Sequence, residues 1–479
     1  MKRFIQLHHY SSYKPPATNR RTSIPWRIHH QIALIIPLFL TGCSVGPQYI
    51  PPVAETPLTW SAPTKALSEK AIRCAWWRPF HDQILNNLIE QQALSNLDLK
   101  AAQERIAVAR KEYAVSYAQL FPKLSADALP PNGTGFDLTQ VLALSAAIEP
   151  DLFGKQREQR HRAAATLEAE QAVHDFTLLT LQADIAIAYV EFREAQTKDN
   201  IFHRSLAANK QVLGFLKSRY HAGLTNYMNL AAQQALIETQ LAELEQNRAL
   251  ITMILHKIEL LTGHFPGVLA HELRPYHPVP QLTESIRLGV PSALLRRRPD
   301  IIAAERRVAA THANIRVAMA NLFPQITIGW LLAWQTQTLA SNIFAMQDPE
   351  STFFGVFTAP LLNMSLYRIV DLRKREKALA VVQYQMTVLN ALHDVETHYN
   401  FCKHYKSSAA HFQKALEQKR LVLKLANNTY QKGLSDFNTV LRSEEDLNHL
   451  EMASLHQNVT YQIARINLYK SLGGGFYDK

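Results

Sequence analysis

The chain has 479 residues, 47% of them apolar, with 51 basic against 40 acidic side chains and a formal net charge of +11. Mean hydropathy is −0.15, and no stretch approaches the ~18 consecutive apolar residues that a spanning helix needs, so any segment crossing a membrane must be β. Six of the 51 basic residues, Lys2, Arg3, Lys14, Arg20, Arg21 and Arg27, precede residue 43 with no acidic residue among them, leaving 45 against 40; the surplus is largely a targeting device rather than a nucleic-acid surface.

That leading segment continues as the apolar run Ile32 to Leu40 and closes on Leu40-Thr41-Gly42-Cys43, the arrangement of a secretory signal. It resembles a bacterial lipobox. The resemblance implies that residues 1–42 are removed and that Cys43 becomes a lipidated first residue; Ser44 after it implies sorting to the outer membrane. Several acyl chains hold firmly, each buried methylene contributing about 0.8 kcal/mol. From Pro47 to Pro63 the sequence has little periodicity and reads as an extended tether within a 43–81 segment.

A helical pattern then runs from Asp82 to about Gln119 and ends at Phe121-Pro122, because proline disfavours helix in the residue before it. A short strand starting at Leu124, a turn at Pro130-Pro131-Asn132-Gly133 and a second strand are expected over about 123–149. In that second strand Phe136, Leu138, Leu142, Leu144, Ala146 and Ile148 share one face, and Asp137, Thr139, Ser145 and Glu149 the other. No proline occurs from Lys155 to Tyr220, which predicts one very long helix, turned at Gly223 into a returning helix with Leu230, Ile237, Leu244, Ile251 and Ile258 at seven-residue spacing.

All of this is then said again. Ala101-Ala102-Gln103-Glu104-Arg105 through Leu120-Phe121-Pro122 recurs as Ala303-Ala304-Glu305-Arg306-Arg307 through Leu322-Phe323-Pro324. Ile326, Ile328, Trp330, Leu332 and Trp334 form the apolar face of a new strand whose partner is expected at Thr352 to Leu361, so the second strand pair spans about 324–362. A proline-free helix follows from Leu366 to Tyr430, then a turn at Gly433 and a return with Val440, Leu447, Ser454, Tyr461 and Leu468 in heptad register. Such a duplication suits a pseudo-symmetric block of a ring or tube. Strands of about ten residues suit a transmembrane barrel or, on periodicity alone, a soluble hairpin packed on a core; the lipobox-like start and the duplication favour the barrel, which four strands cannot close, so several chains must contribute.

Catalytic constellations are missing from the sequence. His271-Glu272 lacks the second histidine of a zinc-protease motif, no phosphate loop or nucleophile elbow occurs, and the twenty histidines are scattered. Cys74 and Cys402 are compatible with a disulfide or with two separate thiols.

The chain resembles the outer-membrane efflux factors of the TolC and OprM type, in their lipidated, NodT-like branch associated with RND pumps. The likeness rests on Cys43-Ser44-Val45-Gly46-Pro47, Trp76-Trp77-Arg78-Pro79-Phe80, Asp151-Leu152-Phe153-Gly154, Leu294-Leu295-Arg296-Arg297-Arg298-Pro299-Asp300-Ile301 and Leu472-Gly473-Gly474-Gly475, in that order. It implies a mainly α fold with β: a homotrimer whose helices form an α-barrel and whose strands, four per chain, form one 12-stranded barrel in the outer membrane of a Gram-negative bacterium. It further implies two repeats, 82–262 and 298–475, separated by a belt segment at 263–297. The implied partners are outer-membrane lipid, a periplasmic adaptor and an inner-membrane RND pump. Type I protein secretion is the alternative on the same fold. No cofactor is implied beyond the lipid on Cys43, and no enzyme activity or nucleic-acid binding.

In such proteins the tube is held closed at the periplasmic tip, here Tyr220 to Gln234 and Tyr430 to Glu445. Relatives commonly read Leu-Asp-Ala-Gln-Arg where this chain has Leu441-Arg442-Ser443-Glu444-Glu445. Arg442 and Glu445, with the polarity reversed, are the expected closing ion pairs, aided by Asp436 and Tyr430. A second departure is Pro360-Leu361-Leu362-Asn363-Met364, where relatives usually carry glycines.

Overall fold

The computed structural model describes residues 45–61, 75–132, 138–282, 288, 290–339, 343–346 and 350–474. The 1–42 signal, Cys43, Cys74, and Gly133, Phe136 and Asp137 of the first strand pair lie outside the described residues. After one 3-10 turn at Arg78–Phe80 the chain forms α1 (Gln83–Ser95), α2 (Leu97–Ala118), β1 (Lys123–Asn132), β2 (Leu138–Ile148), α3 (Lys155–His221) and α4 (Tyr227–Thr262). Two single-turn helices, α5 (Ala270–Leu273) and α6 (Leu294–Arg297), lead into α7 (Pro299–Ala320), β3 (Gln325–Leu339), β4 (Ile343–Met346), β5 (Glu350–Thr358), α8 (Met364–Gln431) and α9 (Phe437–Ser471). The order α2-β1-β2-α3-α4 thus recurs as α7-β3-β4/β5-α8-α9.

Helices α3 and α8 contain 67 and 68 residues and at 1.5 Å per residue reach about 100 Å each. Each begins at a side-chain cap. Asp151 accepts from the backbone N–H of Gln156 (3.0 Å) and Arg157 (2.8 Å) to start α3. Asn363 accepts from Ser365 N–H (3.2 Å) to start α8, so at the glycine-poor junction an asparagine does the capping.

Three expectations are corrected. The helix from Asp82 to Gln119 is two helices, because Asn96 adopts an extended conformation (ψ 130°) and caps α2 by accepting from Leu99 N–H. Its amide donates to Leu261 O at 2.7 Å, which docks the end of α4 at the break. Pro130 and Pro131 are not a turn: β1 runs through them to Asn132, with a register shift between Leu129 and Asn132. Prolines are tolerated there because the bulge takes Pro130 and Pro131 out of the β1–β2 register, so that ladder asks no N–H of them. The last strand starts earlier than Thr352: on either side of residues 347–349, β4 pairs with the outer part of β3 and β5 with the inner part.

Around β-sheet and helices the layer order is the same. Next to the sheet α2, α3, α7 and α8 lie side by side; farther along, α4 and α9 take over from α2 and α7, giving α4-α3-α9-α8. The heptad on α4 is the buried stripe expected, with Leu230, Ile237, Leu244 and Ile258 buried and Ile251 half-buried. On α9 only Val440 and Leu468 of the expected five are buried; Ser443, Val459, Gln462, Ile466 and Tyr469 are buried instead. That helix packs on both α3 and α8, and two contact faces do not share one seven-residue stripe.

The family-like motifs sit where the layers are pinned. Trp76, 1% exposed, stacks on Tyr469 (5.7 Å) and meets Trp77 edge-on (6.0 Å) in a core with Phe80, Tyr189, Phe192 and Ile258. Arg298 is buried, ion-paired with Asp300 (2.7 Å) and Asp394 (3.3 Å), and donates to Ser471 O, joining the start of α7 to α8 and the end of α9. Gly473 has φ +89°, and a Cβ there would lie 2.9 Å from Arg297 O.

Candidate functional site

The sheet has one greasy face. Registered neighbours Ala146, Trp330 and Phe353 line up across β2, β3 and β5, as do Leu144, Leu332 and Ser351 one step up. With Leu124, Leu142, Ile328 and Phe357, all exposed, they form an apolar surface broken at Ser351. The opposite face is mixed and more polar, carrying Ser125, Asp127, Ser145, Gln325, Thr327, Thr352 and Glu350 together with Leu331, Phe354 and Val356; Ser125 Oγ and Ser145 Oγ share a hydrogen bond at 2.7 Å across the strands. An apolar band on one side and a wet surface on the other is the pattern of a barrel wall between lipid and water.

The two strand pairs join through β2 and β3, antiparallel over eleven registered residues from Leu138↔Thr338 to Ile148↔Ile328. This leaves β1 and β5 as free edges running in opposite directions. Unpaired strand edges in hydrocarbon are untenable. Because β5 of one copy is antiparallel to β1 of the next, adding copies extends the same ladder until it closes.

Helix edges repeat the polarity. On the β1 side α2 and α3 line a groove of about 740 Å³ with Ala107, Val108, Lys111 and Val115. On the β5 side α8 exposes Leu372, Leu379 and Met386 at seven-residue spacing. The groove and the stripe are unlike surfaces at opposite ends of one layer, so copies join head to tail and form a ring.

At the far end both helix pairs turn in the same way. Gly223 and Gly433 have φ +73°; Leu224 N–H donates to Arg219 O and Leu434 N–H to Thr429 O, each at 2.9 Å. Nothing lies within 4 Å of a Cβ at either glycine, so the positive φ and not crowding selects the residue. Asn226 and Asp436 cap the helices that follow.

The expected gate residues separate into distinct roles. Tyr430 packs edge-on against Phe437 (5.5 Å) and receives the Arg219 guanidinium over its ring (5.7 Å), so it ties the two turns together. Asp436 is engaged as the α9 cap, and hydrogen bonds from the Thr439 backbone N–H and hydroxyl hold its carboxyl below the usual range. Arg442 is exposed and forms no ion pair within the chain among the described residues; Glu445 is half-buried in a groove it shares with Lys198, Glu243 and His449. Burial, and the like charge of Glu445, push Glu444 up. Arg219 was not singled out from sequence; its only local sign is a basic residue in the last turn of α3, which is common.

At the membrane end Val45, two residues after the lipidation candidate, donates its N–H to Phe153 O (3.4 Å), and Phe153 stacks on Phe323 (5.0 Å) just below the strands. Cys402 carries a free, half-buried thiol, which burial pushes up to about 12 and renders unreactive.

The family described as "Outer membrane efflux protein" matches residues 88–264 and 290–474. The chain is 25% identical over 459 residues to "Toluene efflux pump outer membrane protein TtgC" of Pseudomonas putida, covering 92% of this chain and 94% of that one. It is 26% identical over 464 residues to "Cation efflux system protein CusC" of Escherichia coli O6:H1, covering 92% and 97%. The solved outer-membrane channel OprN superposes with a TM-score of 0.81 at 28% identity, over 90% of this chain and 99% of that one.

Proposed function

Because the chain belongs to the outer membrane efflux protein family, we infer that its free sheet and helix edges are closed by two further copies and that the resulting duct discharges small solutes. It is the outer-membrane channel component of a tripartite efflux system, acting with a periplasmic adaptor and an inner-membrane RND pump, and it extends from the outer membrane into the periplasm. The observation that carries this reading is the coincidence of free edges: β1 with α2 and α4 on one side, β5 with α8 on the other. Three copies supply twelve strands, an even number that closes an antiparallel ladder. A water-filled tube lets a solute bypass the hydrocarbon, and the energy comes from the pump, so no reacting side chain is required.

Three finer assignments belong to this reading. Residues 82–262 and 298–475 are the two repeats, joined by the 263–297 belt segment. Cys43 carries the lipid; Cys43→Ala abolishes incorporation of radiolabelled palmitate and moves the chain out of the lipid-anchored fraction, and continued labelling refutes the assignment. Arg442 and Glu445 meet their counterparts on neighbouring copies at the tip. Cargo is set by the pump and adaptor, since similar relatives carry names as different as toluene and cation efflux.

A susceptibility panel of a deletion strain with complementation tests the function. Sensitisation to amphiphilic drugs, dyes and bile salts assigns a multidrug pump; selective sensitisation to copper and silver assigns a cation pump. Unchanged susceptibility with loss of a secreted protein overturns efflux in favour of type I secretion.

A further inference from the structure

Residues 45–61 form an extended strap laid along α7 and onto α8. Arg316 Nε donates to Val45 O (3.5 Å), the Tyr49 hydroxyl donates to Glu305 Oε1 (2.5 Å), Trp60 is buried among Val308, Tyr384 and Val388, and Ser61 N–H donates to Glu396 Oε1 (2.6 Å). At the centre of this path stands His312, 3% exposed, with Tyr49 packed on its ring at 5.4 Å. Both of its nitrogens are committed. Lys377 Nζ lies 3.2 Å from Nδ1 and Pro47 O lies 3.1 Å from Nε2. An ammonium only donates, so Nδ1 must accept; Nε2 then carries the hydrogen and donates to the Pro47 carbonyl.

We propose that His312 is an acid-sensitive latch, holding the strap against α7 and α8 only while its imidazole is neutral. A proton added at Nδ1 destroys the bond from Lys377 and sets two positive charges about 3 Å apart in a buried position. The charged and titratable groups facing the ring are Lys377 from α8, Arg316 from its own helix, Glu158 from α3 and Tyr49 from the strap. Glu158 is the one anion of this set, and it is already paired with Arg316 at 3.1 Å and His161 at 3.3 Å. Burial, then the Lys377 charge, hold the imidazole below its ordinary value, with the bond to Pro47 opposing them. The sign follows: the docked strap binds fewer protons than the free one. Docking is therefore complete above the ordinary imidazole value of about 6.5 and weakens as pH falls below it. The segment tied down in this way is the one that leads to the membrane-proximal end of the chain.

Hydroxyl-radical footprinting of the full-length trimer in lipid nanodiscs, read by mass spectrometry at Tyr49 and Trp60 and normalised to exposed Phe265, tests this. The expected result is a severalfold rise in labelling of both residues between pH 7.5 and pH 5.0. His312→Gln keeps a donor for Pro47 and an acceptor for Lys377 without a titration, so its labelling is independent of pH. Lys377→Met removes the repelling charge and shrinks the response. Labelling of the native protein that does not change with pH overturns the proposal, and so does a full response in His312→Gln. Should that variant fail to assemble, an undiminished response in Lys377→Met overturns it equally.

Discussion

Arginine in place of Leu332 removes the channel from the outer membrane, whereas arginine in place of Leu331, the adjacent residue, leaves it there. Leu332 stands midway along β3, paired with Leu144 and Ser351 on the greasy face. A basic residue on a barrel's lipid face costs about 2–4 kcal/mol at the midplane, so three in one ring cost about 6–12 kcal/mol, comparable to the whole stability of a typical domain. Leu331 pairs with Ser145 and Thr352 on the opposite, wet face, where an arginine reaches water and costs little. Fractionation with heat-modifiable trimer migration distinguishes the two variants. Normal trimer levels for Leu332→Arg, or loss of both variants alike, would mean that the face has been assigned wrongly or that the sheet does not meet lipid.

The second large effect is at the tip. Arg442→Asp increases the leak of the isolated trimer in planar bilayers, and Arg442→Lys does not. Arg442 has no ion-pair partner in its own chain among the described residues and projects, exposed, from the first turns of α9. One exposed pair contributes about 0.2–1 kcal/mol. Three acting on one closed state shift it by about 0.6–3 kcal/mol, roughly a 3–150-fold change in the closed-to-open ratio. Arg219→Ala is expected to act in the same direction by releasing Tyr430, since a cation–π contact of this exposure is worth about 0.5–1 kcal/mol. A closed conductance identical to that of the native protein in Arg442→Asp would exclude Arg442 from gating.

How much of this was legible in the residues differs by element. The ends of α3 and α8 fall within two residues of the expected ones, because a helix boundary is set locally by a proline-free run and by capping groups such as Gly223, Gly433 and Asn363. The apolar face of β3 was likewise readable, since side-chain alternation is a property of one strand. The two turns at Gly223 and Gly433 follow from the repeat, but Tyr430's partner Arg219 lies more than two hundred positions earlier, and no local pattern marks the pair.

By itself, then, the sequence determined the duplicated order of elements, the great length of two helices and the two-faced strands, all of which depend on neighbours a few residues apart. Tertiary structure alone decided that β2 joins β3, that α1 and α2 break at Asn96 to receive the end of α4, that Pro130 and Pro131 lie inside a bulged edge strand, and that a strap is clipped onto His312. Each of those depends on groups brought together from distant parts of the chain. Their energies come from desolvation and hydrogen bonds formed only once the layers meet, so no local preference announces them.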